Sequence, residues 1–169
     1  MTQDAFWKLI EAVIHEAGGD PEEKLESLRK AVRRLSPEEI IEFDRGFRQC
    51  DARAYRWDLW AAAYIIHGGC SDDGFMDFRA SLILQGREVY EAALANPDSL
   101  VDVDFEDASA EMSFEGYQYV ADEVFEDKTG RELPMSDVSF PVEPAGEAWD
   151  EEDEDDLKAV CPNLFKMYY

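Results

Sequence analysis

Three helix starts are spelled out in the first part of the chain, and they constrain its fold more than any other feature. Thr2 stands as a cap before Asp4. Asp20-Pro21-Glu22-Glu23 places an N-cap ahead of a proline at the first helical position, where its missing N–H costs nothing. Ser36-Pro37-Glu38-Glu39 repeats this grammar as a capping box, serine accepting from the third helical N–H and glutamate answering it. Behind each start, apolar residues recur every three or four positions: Phe6, Leu9, Ile10, Val13, Ile14 and Ala17; then Leu25, Leu28, Val32 and Leu35; then Ile40, Phe43, Phe47, Cys50, Ala54, Trp57, Ala61 and Tyr64. That spacing is one buried face of an α-helix. Gly18-Gly19 closes the first helix.

The third pattern runs on through residue 66. A straight helix over 37–66 would be about 45 Å long at 1.5 Å per residue. A compact domain of this size is roughly 40 Å across, so a kink or break is expected near Cys50–Arg53. Leu59 to Ile66 is apolar on every side and reads as a central buried helix, with Trp60 inside the core beside Trp7 and Trp57. His67-Gly68-Gly69-Cys70 is a turn. Ser71 caps the next helix, whose stripe Phe75, Phe78, Leu82, Val89 and Ala93 runs past Gly86 to the stop at Asn96-Pro97. Leu100–Phe105 alternates apolar and acidic residues and reads as a short extended run. Phe114, Tyr117, Ala121, Val124 and Phe125 mark another helix, closed by Gly130. A last helix is expected over Asp155–Val160, stopped by Pro162, with a turn at 163–168.

These elements predict an all-α fold, a single-domain orthogonal helical bundle with an acidic, loop-rich C-terminal part. Its expected divisions are a helical core over 2–130, a proline-containing crossing over 131–149, an acidic run at 150–156 and a docked C-terminal segment at 157–169. At 169 residues, with 46% hydrophobic and 12% aromatic side chains, the chain is not of disordered composition. The absence of an 18-residue apolar run gives no expectation of a membrane span. Met1-Thr2-Gln3-Asp4 lacks the basic-then-apolar layout of a secretion signal, and Cys50, Cys70 and Cys161 are odd in number and far apart. Both features suit reduced thiols in a cytoplasmic protein.

Charge then divides the chain. The formal net charge is −24, from 16 Lys+Arg against 40 Asp+Glu. Residues 1–95 contribute −6 and residues 96–169 contribute −18, peaking at Asp150-Glu151-Glu152-Asp153-Glu154-Asp155-Asp156. Such a field repels nucleic-acid backbones and anionic membranes, so neither is expected as a partner. Seven like charges usually form a solvated segment. Here Leu157, Val160, Leu164, Phe165, Met167, Tyr168 and Tyr169 follow, a set that needs a surface to dock on.

Several stretches resemble a known family. They are Phe6-Trp7-x-x-Ile10, Leu35-Ser36-Pro37-Glu38-Glu39-Ile40-Ile41-Glu42-Phe43, Asp58-Leu59-Trp60-Ala61-Ala62, Gly68 through Arg79, Leu84-Gln85-Gly86-Arg87-x-x-Tyr90, and Asn96-Pro97-Asp98-x-Leu100. Together they resemble the bacterial domain-of-unknown-function family numbered 4240, over roughly residues 4–168. The resemblance implies a bacterial, mostly helical, stand-alone domain. It carries no activity and no site residues.

The best local candidate for chemistry is the turn around Gly68–Asp77. His67, Ser71, Asp72, Asp73, Asp77 and Arg79 are candidate ligand-binding residues, since a helix start can hold an anion and His–Asp groups can hold a divalent metal. Ser-Asp-Asp is equally what an ordinary helix start looks like. With two histidines and no Cys-x-x-Cys, His-Glu-x-x-His or calcium-loop pattern, no metal site is assigned. No catalytic residue and no cofactor is assigned either; Cys70 and His67 are the only Cys–His pair close in sequence. Arg79 or Arg56 is expected to pair with a carboxylate such as Asp58. Two function classes remain. One is a binding or regulatory module that meets a basic protein through an acidic face, with Asp150, Glu151, Glu152, Asp153 and Glu154 as partner contacts. The other is a small-ligand binder or enzyme using a pocket around Gly68–Asp77.

Overall fold

The computed structural model describes residues 1–169 and contains helices but no β-strand. Its helices are α1 (Gln3–Ala17), α2 (Pro21–Arg33), α3 (Pro37–Arg53), α4 (Trp57–His67), α5 (Asp72–Ile83), α6 (Arg87–Ala95), α7 (Ala108–Glu111), α8 (Val120–Thr129), α9 (Glu154–Val160) and α10 (Pro162–Tyr168). Short 3-10 turns occupy Pro97–Asp102 and Tyr117–Tyr119.

The expected caps form as chemistry requires. Thr2 Oγ1 accepts from Ala5 N at 3.1 Å, Asp20 Oδ1 from Glu23 N at 3.0 Å, Ser36 Oγ from Glu39 N at 3.2 Å, and Ser71 Oγ from Gly74 N at 3.1 Å. Each satisfies an N–H that the helix itself leaves without a partner.

The long apolar pattern over 37–66 does break, slightly later than expected. α3 ends at Arg53, and Arg56 is already extended. A tertiary contact fixes the position: the crossing segment bridges here, with Ala145 N donating to Tyr55 O and Trp57 N donating to Ala145 O, both at 2.9 Å. The single helix expected over 71–95 is two helices. Gly86 sits at φ +95°, and a Cβ there would lie 2.8 Å from Glu11 Oε1. Glu11 accepts from Arg87 N at 2.9 Å, so a side chain of α1 caps α6 and Gly86 makes room for it.

The C-terminal third departs furthest from the sequence reading. The run at 100–105 expected to be extended is 3-10 helix through Asp102 and irregular beyond it. α7 had no expectation, and the helix expected from Phe114 begins properly only at Val120. Pro162 starts a helix rather than ending the chain's helical structure. The reason is Asp98, which is 5% exposed. Its carboxylate accepts from Asn163 N at 3.1 Å, Asn163 Nδ2 at 2.8 Å and Leu164 N at 2.8 Å, capping α10 from a site 65 residues earlier.

One apolar cluster runs from Phe6 to Leu164. α4 lies at its centre as expected, with Leu59, Ala61, Ala62, Ala63, Ile65 and Ile66 buried, and it packs against α5, α7, α9 and α10. α1 packs on α2, and α8 on both α2 and α3. α1 and α3 approach so closely that a Cβ on Gly46 would stand 2.8 Å from the Phe6 ring. At the C-terminus Leu157, Cys161 and Leu164 are fully buried, while Met167, Tyr168 and Tyr169 are exposed. The tryptophans do not share one core. Trp7 is buried against Phe6 and Tyr90, at ring separations of 5.3 and 5.1 Å. Trp57 and Trp60 are only partly buried, because both sit at the N-terminal end of α4 where the helix emerges from the bundle.

Candidate functional site

The turn after α4 brings few of its candidate residues together. His67 points toward α7, with Nδ1 3.3 Å from Ser109 Oγ and its ring edge against Phe78. Its Nε2 is buried without a partner, and burial lowers the imidazole pKa. Ser71 is spent on the α5 cap, and Asp72 and Asp73 are exposed in its first turn. Asp77 accepts from Gln118 Nε2 at 2.8 Å, and burial raises its pKa. Cys70 keeps its proton at neutral pH, since burial pushes its thiol up to about 11.

Arg79 is the exception. It is 4% exposed, and its Nε donates to Asp51 at 2.7 Å. Its guanidinium lies 4.6 Å from the Phe75 ring centre, 4.8 Å from Tyr55 and 5.5 Å from Phe140. Aromatic faces thus supply much of the solvation that burial removed. Asp72 and Arg79 line one cavity of about 280 Å³ with Asp51, Tyr55, Met76 and Phe140. The Arg56–Asp58 pair expected from the sequence also forms, at 3.1 Å.

A larger opening lies at the N-terminal end of α4. This cleft, about 620 Å³, is lined by Trp57, Trp60, Cys70, Ala148, Trp149, Asp150, Glu151 and Asp156. The rings form a connected set. Trp57 and Trp60 stack at 5.4 Å with 10° between planes, and Trp60 stacks in turn on Phe75 at 4.9 Å. Trp149 stands at 88° to Trp57, with centroids 6.3 Å apart. Hydrogen bonds fix the arrangement: Trp60 Nε1 donates to Cys70 O at 3.0 Å and Trp149 Nε1 donates to Trp57 O at 2.6 Å. Tyr64 backs Trp149 edge-on at 5.3 Å.

The acidic run forms the rim. Its candidate contacts Asp150 and Glu151 line the cleft, while Glu152, Asp153 and Glu154 are exposed beside it. Local backbone uses explain how seven carboxylates can sit in a row. Asp153 Oδ1 accepts from Asp155 N as the cap of α9, Glu154, Asp155 and Asp156 fill its first turn, and Asp156 Oδ2 accepts from Asp150 N at 3.0 Å. The positive end of the helix dipole favours carboxylates there. None of the ten ion pairs in the molecule reaches residues 150–156.

A family model described as a protein of unknown function, DUF4240, matches residues 1–127. The chain belongs to the DUF4240 family. No curated protein and no solved structure matches it. The tryptophan cleft of this DUF4240 protein straddles the end of the match: Trp57, Trp60 and Cys70 lie inside it, while Ala148, Trp149 and the acidic rim lie beyond residue 127. No helix is long and apolar enough to cross a membrane.

Sequence reasoning missed Trp149, Asp51, Tyr55 and Phe140. Trp149 had a visible signal, a lone large aromatic in a polar, proline-containing stretch directly before the acidic run. Such a residue needs a surface to rest on. The others depend on the packing of α3 against α5 and of the crossing segment over both, which no local pattern encodes.

Proposed function

We propose that this DUF4240 protein is a binding module for a basic protein, and that the partner inserts a cationic side chain into the tryptophan cleft. One observation carries the reading. The carboxylates of Asp150, Glu151 and Asp156, none of them in an ion pair, and the three indoles of Trp57, Trp60 and Trp149 belong to the same opening. Each half of that pairing supplies a different part of recognition. Carboxylates without cationic partners attract and orient a basic surface at long range, which raises the association rate. Aromatic faces then hold a desolvated cation at short range, where each contact is worth about 0.5–2 kcal/mol. Tryptophan and arginine are also the residue types that most often dominate an interface energetically.

Calorimetry with a short arginine- and lysine-rich peptide tests the reading. Binding is expected to weaken steeply with added salt, and to be largely lost when Glu151, Glu152, Asp153 and Glu154 are changed together to Gln or Asn. Equal affinity at both salt concentrations, or for the neutralised protein, would remove the acidic face from the account.

A second reading has one observation behind it. Arg79 Nη1 is buried without a hydrogen-bond partner beside the cavity it shares with Asp72. A small ligand with an acceptor for Arg79 and a donor for Asp72 or Asp51 would fit that charge pattern. A side-chain NMR screen of carboxylate-bearing and amine-bearing fragments tests it, with shifts at Tyr55 and Phe140 expected. An unresponsive pair of rings would set the cavity aside.

A further inference from the structure

We propose that the tryptophan cleft is a cage for an N-methylated lysine of the basic partner, an inference that rests on the binding role just given and specifies its ligand. The question is which cation the cleft prefers. A primary ammonium carries three N–H donors and needs acceptors for them once it leaves water. A trimethylammonium carries none, and its spread positive charge needs only negative or π-rich surface.

The backbone carbonyls of the cleft are committed, and its carboxylates only in part. Asp150 Oδ1 accepts from Glu152 N at 2.9 Å, and Asp156 Oδ2 accepts from Asp150 N at 3.0 Å. The carbonyls at hand, Cys70 O and Trp57 O, accept the indole N–H groups of Trp60 and Trp149. Asp150 and Asp156 each spend one oxygen on a backbone N–H, Glu151 spends none, and none of the three is in an ion pair, so the rim keeps its full negative charge. What it offers in quantity is ring surface, with Trp57 and Trp149 set at 88° as two walls. Trp149 is held by its bond to Trp57 O, and Trp57 by stacking on Trp60, itself bonded to Cys70 O, so the walls are held before any ligand arrives. Little ordering cost remains for binding. Two fixed aromatic walls beside an anionic rim match a cation that is bulky, weakly hydrated and able to lie against ring faces. The cleft is also open to solvent on the acidic face, as a side chain projecting from a protein requires.

The test uses three forms of one short basic peptide, differing at a single residue: lysine, trimethyl-lysine, and the neutral carbon isostere of trimethyl-lysine. Titration calorimetry against the full chain is expected to give affinity about tenfold higher for trimethyl-lysine than for lysine. The isostere, equal in shape but uncharged, is expected to fall to the lysine level or below. Trp57→Ala and the milder Trp149→Phe should each reduce the preference. Glu151→Gln should weaken the trimethyl-lysine peptide while leaving the thermal midpoint unchanged. If all three peptides bind alike and salt-sensitively, the acidic docking face stands and the methyl-ammonium cage is overturned. If none binds, both are overturned. Choline supplies the remaining control. Affinity for free choline equal to that for the trimethyl-lysine peptide would mean a small-molecule site and would overturn the assigned protein partner.

Discussion

Residues 2–95 and residues 131–169 of this protein are built by different rules. In the first region four of the six helices begin at a local side-chain cap, and the buried face of α1, α2 and α3 follows from the spacing of Phe6, Leu28, Phe43 and their neighbours. Structure there is local first and is then locked by packing. In the second region α9 has a local cap, Asp153, while the crossing segment and the last helix lean on distant partners. The crossing segment is held by one bridge at Tyr55–Trp57, by the Trp149–Trp57 hydrogen bond, and by Phe140 resting on Tyr55 and Arg79. The last helix is capped by Asp98 from far away. The contrast places the candidate function. A cleft assembled across both regions takes rigid indoles from α4 and its acidic rim from the crossing and the acidic run.

This division can be broken by mutation, and the largest effects belong to the first region. Phe75→Ala removes a fully buried ring, and urea unfolding should show a loss of about 3–5 kcal/mol. A loss under about 1 kcal/mol would mean that the α5 core is not as described. Asp98→Ala should come next, at about 2–3 kcal/mol, because it leaves buried N–H groups of α10 without their acceptor. Its signature is regional: hydrogen exchange should accelerate in 157–168 while α1–α3 stay protected. Uniform acceleration would show that the two regions are one cooperative unit. Ser36→Ala should cost about 1 kcal/mol, the usual worth of an N-cap, and affect the first region alone.

The smallest effect concerns pH. Burial holds the folded-state pKa of His67 below its unfolded value, so the neutral ring is the form the fold accepts. That stability is present above the unfolded pKa of about 6.5 and is lost as pH falls through the folded value. Thermal midpoints measured from pH 7.5 to 5 should therefore show a small decline that is absent in His67→Gln. An identical decline in both proteins would assign it elsewhere.

How much of this was legible follows from the same contrast. Thr2, Asp20, Ser36 and Ser71 could be read as caps because a cap is a contact within four residues. The apolar helix around Leu59–Ile66 could be read because a stretch with no polar face has only the interior to go to. The break at Gly86 was hidden, since its cause is Glu11 on another helix. Pro162 reads as a stop only while Asp98 is out of sight. Trp60 was expected inside the core because its segment is apolar, yet its ring lies at the helix end and faces the cleft. The acidic run was recognised as an exposed feature near the body. Its pairing with Trp149 and α4 required the fold.

The central claim is that a basic partner engages the cleft of Trp57, Trp60 and Trp149. The chain has four tryptophans, so a proton–nitrogen correlation spectrum offers four indole N–H signals, with buried Trp7 as the internal control. On titration with the trimethyl-lysine peptide, the signals of Trp57, Trp60 and Trp149 should move together while that of Trp7 stays in place. Four unmoved indole signals under conditions where calorimetry shows the peptide bound would contradict the claim and place the partner on another face.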